Sequence, residues 1–166
     1  MMVLDIPDIT HNELTKLAIP IFNVTYLGIS NTNEYSKTVN GVVWGIKGRP
    51  LVSLPVRLYD KDCPTMLNVI FKIDTGSPVS ALTKETMSTL NSHCKQRNSN
   101  KDDWARVLIN NRKADVLKSV GSYENVNILG TDFMKQYDVS LKIFYKSHVN
   151  PQKVKVQFND EIAQTS

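Results

Sequence analysis

Apolar residues in this chain fall mostly at every second position, which is the period of a half-buried β-strand. The alternation is clearest in two neighbouring stretches, 52–58 and 67–73, where valine, leucine, isoleucine and phenylalanine occupy every other place. Further strands are predicted at 104–109, 114–120, 139–145 and 154–158. Many short strands predict a mainly β protein organised as a small closed β-barrel.

Two short stretches carry helix signals instead. Thr83 is a good N-cap for a helix that begins near Lys84, and Met87 and Leu90 fall on one face of it. Thr131 is placed to cap a second short helix. The predicted barrel therefore contains one or two short helices.

The chain of 166 residues is long enough for one domain with a sizeable core. We divide it into an N-terminal extension, residues 1–49, and a barrel domain, residues 50–160. Within the extension, 21–27 is a candidate strand and 42–46 is an apolar segment after a polar stretch. The extension is a pro-segment, an added dimerisation strand or an arm for a partner.

The first candidate for chemistry stands at the end of the 67–73 strand. Asp74 follows the strand directly and opens an Asp-Thr-Gly turn, and a carboxylate is costly to bury there without partners. An Asp that opens a turn before Gly is also common in proteins without any catalytic role. A second apolar-Gly element, residues 127–133, follows later in the chain. The two elements together favour a functional interpretation of Asp74 over a chance occurrence of the Asp-Thr-Gly turn.

Residues 50–145 resemble the retroviral-type aspartic proteases, the retropepsins. The resemblance is carried by Asp74-Thr75-Gly76-Ser77, by the apolar residues that follow at 79–82, and by Ile128-Leu129-Gly130 ahead of a short helix. It implies a closed barrel of the acid-protease type, aspartic endopeptidase activity on a peptide or protein substrate, and no cofactor or metal. It also implies descent from a retrotransposon, although the sequence leaves open whether the gene belongs to a mobile element or a host.

The resemblance implies a homodimer, because the Asp-Thr-Gly motif occurs once in this chain and catalysis needs two such carboxylates. Two carboxylates about 3 Å apart cannot both ionise easily, so Asp74 and its symmetry mate share one proton. The ionised member takes a proton from water as the general base. The protonated member polarises the carbonyl of the substrate.

The residues beside Asp74 take supporting roles by the same resemblance. Thr75 hydrogen-bonds across the pair of loops, Gly76 allows close approach of backbone and substrate, and Ser77 orients the Asp74 carboxylate. In the second element, Ile128 and Leu129 pack beneath the loop and Gly130 lets the next helix come close.

Two departures from the family pattern concern the dimer and the flap. Retroviral members often pair an acid with an Arg where this chain has Pro78 and Thr131, so its dimer is weaker or differently built. The family closes its cleft with a glycine-rich hairpin, yet no glycine occurs between Gly76 and Gly121. The candidate flap residues are Asn98, Ser99, Asn100 and Trp104, of which the last either covers bound peptide or packs in the core. The glycine-free flap favours the alternative function, a catalytically inactive protease-fold dimerisation or interaction module.

Charge and cysteine content add little to this assignment. Seven basic residues against three acidic ones between 95 and 118 account for the net charge of +4. No aromatic interleaving accompanies them, so nucleic acid is not an expected partner. Cys63 and Cys94 fit no metal spacing and are predicted to be free thiols in a reducing compartment.

Targeting signals and membrane spans are also not expected from the sequence. No run of eighteen apolar residues occurs, and the first ten residues lack a basic-then-apolar signal layout. A cytoplasmic location without membrane contact is the prediction.

Overall fold

The computed structural model describes residues 9–31, 35–45, 47–94, 103–121, 125–146 and 151–160. The strands are β1 (Thr38–Trp44), β2 (Arg49–Leu58), β3 (Leu67–Ile73), β4 (Ala81–Leu82), β5 (Trp104–Ile109), β6 (Arg112–Lys118), β7 (Asn127–Leu129), β8 (Val139–Phe144) and β9 (Gln152–Phe158). The helices are α1 (His11–Leu17), which continues into a π-helical turn (Ala18–Phe22), α2 (Lys84–Ser92) and α3 (Thr131–Gln136). None of the helices in these ranges is both long and apolar enough to cross a membrane.

Six strands close into a barrel in the order β3-β7-β4-β6-β5-β2, because β2 pairs with β5 on one side and with β3 on the other. Most pairs are antiparallel, but β3 pairs with β7 in parallel and β4 with β6 in parallel. The mainly β, closed-barrel prediction is confirmed. Both helices predicted for the barrel domain are also present.

The interior of the barrel is made by alternate residues of its strands, as the sequence pattern predicts. On β3 the inward set is the odd-numbered one, and the even-numbered set faces out. The buried interior cluster includes Val52, Leu54, Val56, Leu67, Val69, Phe71, Ile73, Val107, Ile109, Val116 and Leu129. Phe133 of α3 closes one end of this cluster by an edge-on contact with Phe158 of β9, with ring centroids 6.2 Å apart.

Strands β1, β9 and β8 extend the sheet beyond β2 of the barrel, in the order β2-β1-β9-β8. Strand β1, which lies inside the predicted 1–49 extension, pairs with β2 through residues 42–44 and with β9 through residues 38–43. Pro55 in β2 is the register partner of Asn68 in β3, and its carbonyl accepts from the Asn110 N–H at 2.8 Å just beyond β5, so the proline is accommodated within the sheet. Among the strands of the described ranges, β8 ends the order with one edge unpaired.

Two predicted elements differ from the structure. The strand predicted at 21–27 is wrong, because Leu14, Leu17, Ala18 and Ile21 follow a helical period and the chain runs from α1 into a π-helical turn there. The strand predicted at 114–120 begins earlier, at Arg112. A two-residue turn of asparagines with positive φ joins it to β5, which is the turn that tight antiparallel hairpins favour.

The prediction of two free thiols is also wrong, since Cys63 and Cys94 form a disulfide with Cα atoms 5.5 Å apart. The bond ties the loop after β2 to the end of α2, 31 residues later in the chain. Cross-linking a loop of this length stabilises a fold by about 3–4 kcal/mol in the chain-entropy description. Cys63 and Cys94 therefore do not indicate a reducing compartment.

Candidate active site

The Asp74 loop begins where β3 leaves the barrel. The backbone N–H of Asp74 donates to the carbonyl of Leu129 in the neighbouring β7 at 3.0 Å, so the parallel β3–β7 pair fixes where the loop starts. The N–H of Gly76 donates to Asp74 Oδ1 at 2.9 Å, and the N–H of Ser77 donates to the Asp74 carbonyl at 3.1 Å. The Asp74 side chain is 27% exposed, so its carboxylate is held in place and still reachable from solvent.

The tip of the loop faces outward. Thr75 and Gly76 are exposed, and so are Pro78 and Val79. The Ser77 hydroxyl donates to the Val79 carbonyl at 2.7 Å, so within one chain it does not orient the Asp74 carboxylate as predicted. That orientation comes from the Gly76 N–H instead.

The second apolar-Gly element lies directly beside the Asp74 loop. Leu129 belongs to the interior cluster, whereas Ile128 faces the outside of the barrel. Gly130 meets the loop so closely that a Cβ there would lie 2.4 Å from the Val79 carbonyl oxygen and 2.8 Å from that of Ser77. The close approach expected at Gly130 is therefore an approach to the Asp74 loop.

Hydrogen bonds join the two elements where retroviral members have an ion pair. The N–H of Thr131 donates to the Ser77 carbonyl at 2.8 Å, and its hydroxyl donates to the same oxygen at 3.2 Å. The predicted capping role of Thr131 is wrong, because Gly130 is the N-cap and Thr131 is the first residue of α3. The Asp132 carboxylate accepts from the N–H of Ser80 at 3.0 Å and from its hydroxyl at 2.7 Å. Sequence reasoning missed this contact.

Gly130→Ala should lower the free energy of unfolding by about 1–3 kcal/mol, because the new methyl group meets backbone carbonyls that cannot rotate away. The matched control is Gly45→Ala, where φ is +81° and no atom lies within 4 Å of the new methyl, so that variant reports backbone strain alone. Urea denaturation of both variants measures the difference. Equal stability of Gly130→Ala and wild type would contradict the close approach.

Lys72 lies beside Asp74, and sequence reasoning missed it. Its side chain is 2% exposed, and its ammonium nitrogen lies 3.5 Å from Asp74 Oδ2. Lys72 is one of the even-numbered residues of β3, whose side chains face away from the barrel interior. Because its ammonium group contacts Asp74, the Asp74 carboxylate lies on the same outer face. The signal was present in the sequence, since Lys72 is the one charged residue in the 67–73 strand.

Asn127 is the second residue that sequence reasoning missed. Its side chain is fully buried at the start of β7, where its Oδ1 accepts from the N–H of Thr83 at 2.9 Å and the hydroxyl of Thr86 at 2.8 Å. Its Nδ2 donates to the Tyr26 hydroxyl at 2.7 Å and to the Ile70 carbonyl at 3.0 Å. One side chain thereby connects β7, the N-terminus of α2, the backbone of β3 and the N-terminal segment.

The candidate flap is placed only in part. Asn98, Ser99 and Asn100 lie outside the described residues. Trp104 begins β5 and is 53% exposed beside the exposed Leu117 of β6, so the core-packing alternative for this residue is wrong.

The basic stretch is partly neutralised by acids. Arg106 makes a two-pronged contact with Asp115 at 2.8 and 3.3 Å, and this hydrogen-bonded guanidinium holds the pKa of Asp115 below its ordinary value. The buried guanidinium of Arg112 contacts Asp160 at 2.8 Å and stacks over Phe158. Neither arginine is therefore an unpaired positive group. Within the described part of the chain no cluster of three or more metal-ligating side chains occurs.

A closed barrel that presents Asp-Thr-Gly at a strand end, locked to a second apolar-Gly element, is the retropepsin-like fold that the sequence predicted. No family model matches the chain, and no curated protein does. Among solved structures, the chain is similar to a retropepsin-like aspartic protease from Rickettsia conorii, with 12% identity and a TM-score of 0.42 over 76% of this chain and 97% of that one.

Proposed function

We propose that this protein is an aspartic endopeptidase that acts as a homodimer, with one Asp74 from each copy forming the catalytic pair. The observation that carries the proposal is the state of Asp74: one oxygen is fixed by the Gly76 N–H, and the carboxylate is still reachable at the tip of an exposed loop. A carboxylate of this kind can activate a water molecule as a general base. Its substrate would be a peptide or protein chain.

The exposed Thr75 and Gly76 support the dimer, because they project from the barrel beside Asp74 and are free to meet the same loop of a second copy. The unpaired edge of β8 supports it as well, since such an edge offers backbone groups for pairing with another strand.

In the reaction, the ionised Asp74 takes a proton from a water molecule held between the two carboxylates, and the oxygen of that water attacks the peptide carbonyl. The protonated Asp74 donates a hydrogen bond to the carbonyl oxygen as negative charge develops on it. A proton then passes to the leaving nitrogen, the C–N bond breaks, and the pair again holds one proton. Exposed Trp104 stands at the base of the candidate flap and is the side chain we assign to cover the bound peptide.

The test is a subunit-mixing experiment at mildly acidic pH, where a carboxylate pair holds one proton. Wild type is mixed with Asp74→Asn, allowed to exchange subunits, and assayed on a peptide library while the mass in solution is measured. If each copy supplies one Asp74, an equal mixture retains about one quarter of the wild-type activity at random pairing. Retention of one half would mean that each chain works alone, and a wild-type dimer without any cleavage would leave only the interaction-module function.

A further inference from the structure

The outer face of the barrel beside Asp74 carries a row of side chains from four adjacent strands. Leu51 of β2 is the register partner of Lys72, Lys72 is the partner of Ile128 of β7, and Ile128 is the partner of Ala81 of β4. All four are buried, although each points away from the barrel interior. Side chains on the outside of a barrel are normally exposed to solvent, so another part of the chain must cover this row.

The cover is supplied by the N-terminal segment. Ile9, Leu14, Leu17, Ala18 and Tyr26 form one buried apolar cluster with the outward-facing residues of the barrel. The barrel residues of that cluster are Leu51, Ile70, Ala81, Val126 and Ile128. Residues 9–30 are called the N-terminal cover below.

Backbone hydrogen bonds attach the cover to the start of β3. The N–H of Leu27 donates to the Asn68 carbonyl at 2.8 Å, and the N–H of Asn68 donates back to Gly28 at 2.9 Å. The N–H of Ser30 donates to the Met66 carbonyl at 2.8 Å. Ile9, Leu14, Leu17 and Ala18 of the cover belong instead to the apolar cluster.

Tyr26 fixes the C-terminal part of the cover. Its hydroxyl accepts from Asn127 Nδ2 at 2.7 Å, and burial raises the pKa of the phenol, so it stays neutral and compatible with the apolar cluster. Asn127 precedes Ile128 in β7, which places this contact next to the row of side chains that leads to Asp74.

We propose that the N-terminal cover is an autoinhibitory segment that occupies the peptide-binding surface of the site. This rests on the proposed function. Lys72 reaches Asp74 from the outer face, so a peptide that offers its carbonyl to Asp74 must run along this face. The apolar side chains that such a peptide would contact are Leu51, Ala81, Val126 and Ile128, and all of them are buried in the cluster that the cover makes. Substrate and cover therefore compete, and the fraction of molecules with the cover displaced limits the apparent affinity for substrate.

The first test uses the full chain folded before it is cut. A recognition sequence for a site-specific protease replaces residues 32–34, and the folded protein is assayed for peptide cleavage before and after cutting and dilution. We expect kcat/KM to rise roughly tenfold or more after cutting. A synthetic peptide of residues 9–31 should restore inhibition, and the same peptide with Leu14→Glu and Leu17→Glu should not.

A second variant covers the case in which the cut protein unfolds. In the uncut chain, Leu14→Ala with Leu17→Ala loosens the cover from its buried side, and cleavage should rise together with amide hydrogen exchange at 126–129. The matched control is Asn12→Ala with Lys16→Ala on the exposed side of the same helix, where neither quantity should change. Lower cleavage in the leucine variant, together with faster exchange at 126–129, would show that the segment is only a structural part of the fold.

The outcomes separate this proposal from the proposed function. The 9–31 peptide could bind the cut protein and protect 126–129 from exchange while no form of the protein cleaves any peptide. The binding of the segment to this face would then be supported, and the proposed protease function would be wrong. If the uncut protein cleaves as well as the cut one, and the added peptide has no effect, the protease assignment stands and autoinhibition is overturned.

Discussion

Asp74→Asn should reduce peptide cleavage by about 10³-fold, because the amide can neither accept a proton from water nor share one with its symmetry mate. The fold should survive, since the amide oxygen of asparagine can still accept the hydrogen bond from the Gly76 N–H. The measurement is kcat/KM on a peptide found in the library, with the melting temperature and solution mass of the same samples.

The neighbour Lys72 makes the stability control necessary. Its buried ammonium loses a charged partner in Asp74→Asn, so part of any lost activity would come from a weakened fold unless the melting temperature is matched. Asp115→Asn provides the comparison, because Asp115 is an exposed carboxylate in an arginine contact on β6, outside the Asp74 loop. It should cleave like wild type. Equal loss in both variants would show that Asp74 has no special role.

Asn127→Leu should lower the free energy of unfolding by about 3 kcal/mol or more. Leucine fills nearly the same volume but removes four buried hydrogen bonds, those with the Thr83 N–H, the Thr86 hydroxyl, the Tyr26 hydroxyl and the Ile70 carbonyl. Each stranded buried group costs about 1–3 kcal/mol, although some partners will relax. Equilibrium urea denaturation at one fixed protein concentration measures the change, since a dimer's stability depends on concentration.

The matched substitution is Asn125→Leu, two residues earlier in the chain, where the side chain is exposed. It should change the free energy of unfolding by less than about 0.5 kcal/mol. If the two variants were equally stable, the Asn127 side chain would not hold the β7, α2 and N-terminal elements together. In Asn127→Leu we also expect faster hydrogen exchange in the N-terminal cover, because Tyr26 loses its hydrogen bond to Asn127.

The barrel could be predicted because its signal is local. Alternation over 67–73 and the turn at Asp74 depend on residues next to each other in sequence, so period and turn chemistry were enough to locate them. The alternation, however, predicts only which residues face the barrel interior. The outward residues Ile70 and Lys72 were thus overlooked, although they make the face on which Asp74 lies.

What the sequence did not reveal depends on long-range contacts. Asn127 is a common turn or strand-end residue by itself, and its four partners lie 41 or more residues away in the chain. The disulfide joins cysteines whose proximity exists only after β2 and α2 have packed. The apolar residues within 21–27 predict a strand only when that stretch is considered alone. The helical period of this segment begins earlier, at Leu14 and Leu17 of α1.

The position of β1 has a consequence for the order of folding. One edge of β1 pairs with β2, the next strand along the chain, but its other edge pairs with β9, so that Thr38 is opposite Gln157. Contacts of such high sequence separation form slowly and late. During synthesis the barrel strands and the N-terminal segment can associate well before β9 has left the ribosome. The segment would thus dock on the outer face of the barrel before β1 and β9 pair, and a newly made chain would carry it in place from an early stage of assembly.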